Sequence, residues 1–187
     1  QLERTLKEDK HFQSKHLSTF LGKCCAKSIK AIEGDIKRTE EQIQLVIVSD
    51  EELTRLFSII ESVPGVGRIS ATEIVITTNE FKNIHDARKY ACYAGVAPFE
   101  HSSGSSIRGK TRISKKANLQ VKTRLHMASL VAAVHYEEFR LYYQRKVAEG
   151  KNKMCVLNAV RNKLVHRIFA CVKENRLYEK NYDPKFG

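Results

Sequence analysis

Only three prolines interrupt these 187 residues, and sustained apolar–polar alternation of period two is scarce. That excludes an all-β sandwich or barrel and leaves a mainly α class. No apolar run approaches the ~18 residues that a membrane span needs, and no secretory leader is visible. The five cysteines, Cys24, Cys25, Cys92, Cys155 and Cys171, are odd in number and never spaced C-x-x-C. A disulfide framework and a zinc site are both disfavoured, and a reducing cytoplasm is the expected setting. The seven histidines scatter without ligand spacing, so no metal site is expected. Around Tyr90, Tyr93 and Tyr142-Tyr143 no Arg/His constellation of a tyrosine recombinase forms; packing is the expected role of these rings.

Acid is missing from one stretch in particular. His101 to Arg124 reads HSSGSSIRGKTRISKKANLQVKTR and holds no Asp or Glu. Its seven cations are Arg108, Lys110, Arg112, Lys115, Lys116, Lys122 and Arg124, and they follow Ser102, Ser103, Ser105 and Ser106 around Gly104. The whole chain has a net charge of +12 and a pI near 9.5. Residues 1–100 carry 14 basic and 15 acidic groups, whereas 101–187 carry 19 and 6, so the excess lies in the C-terminal half. Such one-sided charge favours a polyanionic partner, and nucleic acid is the expected one. A solvated basic face is the plainer alternative.

Heptad spacing organises the N-terminal part. Ile29, Ile36, Ile43, Asp50 and Phe57 fall at one seam position, and Ile32, Thr39, Val46, Leu53 and Ile60 at the other; eight of the ten are apolar. This predicts a coiled coil or long paired helix over 23–62, with dimerisation through 29–60. Thr39 and Asp50 set register or mark where pairing ends. A long helix packing on its own domain is the alternative. Residues 1–22 form a polar lead-in, and the start at Gln1 suggests the C-terminal piece of a longer protein. Pro64-Gly65 ends the long helix, and a helix from Arg68 to about Thr78 follows. Further helices are expected over Ile84–Tyr93, from Ser114 or Asn118 to about Val134, over Glu137–Ala148, and over Lys153–Glu174. Residues 99–113 read as a loop or short hairpin. In the last helix Leu157, Val160, Leu164 and Ile168 form the buried stripe, and Arg161, Arg167 and Lys173 stay in water. Residues 63–182 form the helical domain, and 183–187 a frayed tail.

Two motifs carry chemistry. Val63-Pro64-Gly65-Val66-Gly67-Arg68-Ile69-Ser70-Ala71 resembles a helix-hairpin-helix. Gly65 and Gly67 let the backbone approach a phosphate, the N–H groups opening the next helix bind it, and Arg68 adds charge. Such a grip holds backbone without reading bases. A plain corner between two helices has the same pattern. In the second motif, serine hydroxyls beside dense cations suit attack on phosphate, since the cations stabilise charge on the non-bridging oxygens. A Gly/Ser-rich connector is the alternative. The acids at Glu40, Glu41, Asp50, Glu51, Glu52 and Glu61 sit on the heptad helix and read as a solvated face rather than metal ligands.

The order VPGVGRISA, then FKNIHDARKYACYAGVAP, then SSG-x-x-x-RG-x-x-RISKKANLQVKTRL resembles the C-terminal domain of insertion-sequence transposases of the IS one-ten type, over roughly Leu53 to Tyr182. The resemblance implies a bacterial protein in which a RuvC-like domain with four acidic residues precedes a coiled coil and a helical domain. It implies that Ser103, directly before Gly104, is a nucleophile that forms a phosphoserine link to DNA; Ser102 is the neighbouring alternative. It also implies that a structured bridge RNA is a partner beside DNA. Any Mg2+ would belong to the absent RuvC-like domain, with no cofactor in this sequence, which by itself is expected to be inactive. Ala117 stands where the family usually has Gly. Lys122 stands where it has Arg, which keeps charge but loses the bidentate fork. The second reading is a non-catalytic nucleic-acid-binding and oligomerisation module.

Overall fold

The computed structural model describes residues 3–5, 7, 8, 11, 19–103, 107–113 and 117–180, with backbone alone at 19–24, 98–103 and 107–113. The expected tail at 183–187 lies outside the described residues. The chain divides into Gln1–Thr54 and Arg55–Gly187.

In the first unit, α1 (Thr19–Ser49) is a single helix of 31 residues. Its surface carries an Asp35–Arg38 ion pair and a Lys37–Glu41 contact at 3.9 Å. Exposed pairs of this kind contribute about 0.3–0.5 kcal/mol each. Ile29 and Ile47 are buried, whereas Ile43, Leu45, Val46 and Val48 are exposed. The helix stops at Asp50, whose Oδ1 accepts from the Leu53 amide at 3.0 Å, and Thr54 Oγ1 donates to the Ile47 carbonyl at 2.7 Å. A carboxylate satisfying the first free N–H groups is how a new helix is opened, and α2 (Glu51–Glu61) begins there.

This corrects the expected seam over 29–60. The heptad run is two helices, not one, and its last members are spent elsewhere. Phe57 and Ile60 are 3% and 0% exposed, inside the core of the second unit. Only the part before Asp50 retains apolar side chains free for pairing.

The second unit is built around α7 (Lys153–Lys173). Alongside it pack α5 (Leu119–His135), α6 (Glu137–Ala148) and α4 (Ala87–Tyr93), while α3 (Arg68–Thr78) packs on α5. The predicted stripe Leu157, Val160, Leu164 and Ile168 is buried, facing a core that includes Leu125, Ala128, Ala132, Tyr90 and Phe139. Caps set the boundaries. Asp86 accepts from the Arg88 amide, so α4 starts later than Ile84; Asn118, rather than Ser114, accepts from Gln120 and Val121; Asn152 accepts from Met154.

Residues 175–180 fold back onto the unit. The Tyr178 amide donates to Ser62 Oγ at 2.8 Å, and its hydroxyl donates to Glu138 Oε2 at 2.6 Å. Arg167 pairs with Glu138, donates to the Tyr178 hydroxyl at 2.9 Å, and lies over the Phe139 ring. Burial alone would raise the Glu138 carboxyl, but hydrogen bonds from Arg167 and Tyr178 and the Arg167 charge outweigh it and hold it below the ordinary carboxylate range. Arg167, expected in water, is half-buried because this network engages it.

Between α4 and α5 the chain forms an antiparallel hairpin, β1 (Pro98–Ser103) and β2 (Ile107–Ile113). The sequence left this segment as loop or hairpin, and it is a hairpin, with an irregularity between Phe99 and His101.

Candidate nucleic-acid interface

The Pro64 turn places its two glycines in opposite situations. Gly65 has φ +81, and a Cβ there would run into the Ala128 carbonyl oxygen and come within 2.9 Å of the Ala132 nitrogen. The turn therefore presses on the backbone of α5, and Gly65 serves that contact. Gly67 has φ −105 at the start of α3, and a Cβ there would meet nothing within 4 Å. Val63, Val66 and Ala71, the apolar positions of the motif, are buried. No side chain caps α3, which leaves its first amides to other acceptors. Arg68 lies 3.3 Å from Glu61 Oε1 and 5.1 Å above the Phe57 ring, so gripping a phosphate requires it to leave or share that carboxylate.

The hairpin carries the serines. Ser103 pairs with Ile107, Ser102 with Arg108 and His101 with Gly109. Residues opposite one another share a face, and the faces alternate along each strand. Arg108 thus shares a face with Ser102, while Ser103 shares the other with His101; beyond the irregularity Arg112 lies opposite Phe99 and so falls on the face of His101 and Ser103. Gly104, Ser105 and Ser106 lie outside the described residues, as do Lys115 and Lys116. Lys122 and Arg124 are half-buried on the first turns of α5.

The base of the hairpin is clamped. The Asn118 amide donates to the Tyr93 carbonyl at 2.9 Å, and Asn118 Nδ2 donates to the Tyr93 hydroxyl at 2.8 Å. Asn158 Nδ2, on α7, donates to the Val96 carbonyl at 2.9 Å. Sequence reasoning passed over these asparagines, because only Asn118 carries a local signal, that of a helix cap.

Arg161 corrects the sequence reading more sharply. It was expected in water, yet it is 6% exposed. Its Nη2 donates to His126 Nδ1 at 2.6 Å. Since guanidinium has no acceptor, that imidazole nitrogen must be bare. Desolvation, then the Arg161 charge, lower the His126 pKa from its ordinary value. The unfolded chain therefore takes up a proton at His126 before the folded one does. The stability His126 contributes is present above about pH 6.5 and is lost as pH falls below it. His126→Gln is expected to flatten the fall in melting temperature between pH 7 and pH 5.5; an unchanged slope would assign that fall to other groups.

Tyr90 and Tyr142 are engaged in packing. Tyr90 is fully buried, its hydroxyl lies 3.0 Å from Thr77 Oγ1, and burial holds its pKa far above the ordinary value. Tyr142 lies under Lys163 and Arg145. Among the described residues no three His, Cys, Asp or Glu converge as metal ligands. No helix among them is long and apolar enough to cross a membrane.

Comparison with known proteins meets this geometry. The pilin gene-inverting protein of Moraxella bovis is 25% identical over 165 residues, covering 88% of this chain and 51% of the relative. An uncharacterized 43.6 kDa protein of insertion element IS110 from Streptomyces coelicolor is 28% identical over 154 residues, covering 82% and 37%. A probable family 20 transposase of Pseudomonas aeruginosa is 30% identical over 97 residues, covering 52% and 27%. The chain spans about half or less of the length of these relatives. The Transposase IS116/IS110/IS902 family model matches residues 57–144, from the core of α2, through the Pro64 turn and the serine hairpin, into α6. Residues 57–144 are a transposase domain of the IS116/IS110/IS902 family.

Proposed function

We propose that this chain is the part of a DNA transposase that holds DNA and supplies a serine nucleophile. One observation supports the reading most: a clamped hairpin pairs the strand that holds Ser102 and Ser103 with the strand that carries Arg108, Lys110 and Arg112. Ser103 Oγ attacks a backbone phosphorus, its proton leaves to a base, the phosphoserine bond forms, and the strand departs with a free 3′ hydroxyl. A second 3′ hydroxyl then attacks the phosphoserine, joins the strands and restores the serine. The cations stabilise charge on the non-bridging oxygens during both steps. The α3 amides at Gly67 and Arg68 hold backbone phosphates. Bridge RNA selects the DNA, a RuvC-like domain completes the site, and the exposed stripe of α1 pairs copies. The family resemblance supports the first two of these points.

The test is strand exchange by a protein in which this domain is joined to the RuvC-like domain, with its element RNA. Denaturing gels would follow a covalent protein–DNA adduct. Ser103→Ala is expected to abolish adduct and product, while Ser102→Ala retains both. Loss only with Ser102→Ala would move the nucleophile to Ser102, the serine paired with Arg108. Unchanged product with either variant would leave a nucleic-acid clamp without serine chemistry.

A further inference from the structure

Arg161 presents a physical anomaly. A guanidinium stays protonated in proteins, and a buried cation without a counter-charge is strongly disfavoured. Yet its only hydrogen bond among the described residues goes to a neutral imidazole, and its Nε is buried without a partner. The two helices that hold this pair supply no anion. Neither α5 nor α7 contains an Asp or Glu, although together they hold Lys122, Arg124, Lys153, Arg161, Lys163, Arg167 and Lys173.

The same turn of α7 holds two more unmet polar atoms, Asn158 Oδ1 and Asn162 Oδ1. Asn158 ties this turn to Val96, just before the hairpin. On α5, Lys122 lies four residues before His126 and so shares its helix face. His126, Asn158 and Asn162 are half-buried, so the cluster sits at the margin of the core beside the base of the hairpin. The Nε–Nη2 edge of a guanidinium is a fork that takes two oxygens of one phosphate. Here one prong rests on an imidazole and the other on nothing.

We propose that Arg161, flanked by Lys122 and His126, is a receptor for a phosphate group of the nucleic-acid backbone passing the base of the serine hairpin. The assignment rests on the DNA-holding reading above and adds a residue to it from a different helix. Phosphate fits better than a protein carboxylate because neither helix holds an acid and Lys122 lies on the His126 face of α5, so the cations are several rather than one.

The experiment compares this chain with Arg161→Met and Arg161→Lys. Melting temperature is measured in sodium phosphate and in sodium chloride at equal ionic strength, and affinity for a DNA duplex at fixed salt. In chloride, Arg161→Met is expected to melt no lower than the parent, since it removes an uncompensated buried charge. Phosphate is expected to raise the melting temperature of the parent, to raise that of Arg161→Lys less because the fork is lost, and not to raise that of Arg161→Met. Duplex affinity is expected to fall about tenfold in Arg161→Met, with the salt slope smaller by about one.

An equal phosphate response in the parent and Arg161→Met overturns the site. A phosphate response with unchanged duplex affinity assigns it to free anions and overturns the nucleic-acid source. If Arg161→Met does not fold, Arg161→Lys decides, because a phosphate response equal to the parent's, with the fork removed, would overturn a phosphate receptor here. Melting and duplex binding need no strand cleavage, so failure of the serine chemistry and failure of this site appear in different assays.

Discussion

Gly65→Ala is expected to lower the melting temperature of the helical domain by about 10 °C, through a loss of roughly 3 kcal/mol. Two effects add. The left-handed φ of +81 at Gly65 costs an L-residue about 1–2 kcal/mol. The new methyl group also meets the backbone of Ala128 and Ala132, which cannot rotate away as a side chain would. Forcing α5 back from the turn opens gaps around Val63, Val66 and Ala71 in a close-packed core. Gly67→Ala is the matched control. Its φ is ordinary and its Cβ has open space, so the expected loss is below about 1 kcal/mol, typical of exchanging a helix cap. Thermal melts of the pair check this, and a Gly65→Ala protein as stable as the parent would refute the close approach. Duplex binding by Gly67→Ala then tests the proposed phosphate contact in a folded protein.

Affinity of the chain for duplex DNA is expected to fall about a thousandfold between 50 mM and 200 mM salt. The proposed contacts are Arg68, Arg108, Lys110, Arg112, Lys115, Lys116, Lys122 and Arg124. Each phosphate neutralised releases condensed counterions, so log affinity falls against log salt with a slope of about −0.9 per contact. With about six of these eight engaged at once the slope is near −5, and the fourfold salt change then yields the stated loss. Titrations at four salt concentrations measure it. A flat response would remove nucleic acid as the partner of this half of the chain. Replacing Arg108, Lys110 and Arg112 together with Gln should reduce the slope by about three. Replacing Arg68 alone should reduce it less than one full contact, because Glu61 already lies 3.3 Å from it.

Much of this was legible in the order of residues. The helix from Arg68, the Pro64 turn, the four-residue stripe of α7 and the serine–cation segment follow from local rules: proline and glycine stop helices, apolar residues recur every three or four, and charge has a sign wherever it is placed. The mainly α class follows from the same periodicity, and motif order pointed to the transposase domain found at residues 57–144.

Other features have no local signal. Heptad spacing could not say that Phe57 and Ile60 belong to a core rather than a seam, because burial of an apolar side chain by its own domain or by a second copy gives the same pattern. Spacing made the two glycines of the Pro64 turn equivalent, and only packing on α5 separates them. Helical periodicity put Arg161 in water, since it cannot show that a neighbouring helix covers that face. The sequence by itself determined most of the helical segments, and that the C-terminal half is a polycation with serines at its start. Tertiary structure alone decided which faces meet, and so which glycine is locked, which serine pairs with Arg108, and which arginine is buried. Those are relations between residues far apart in the chain, set by packing that no local rule encodes.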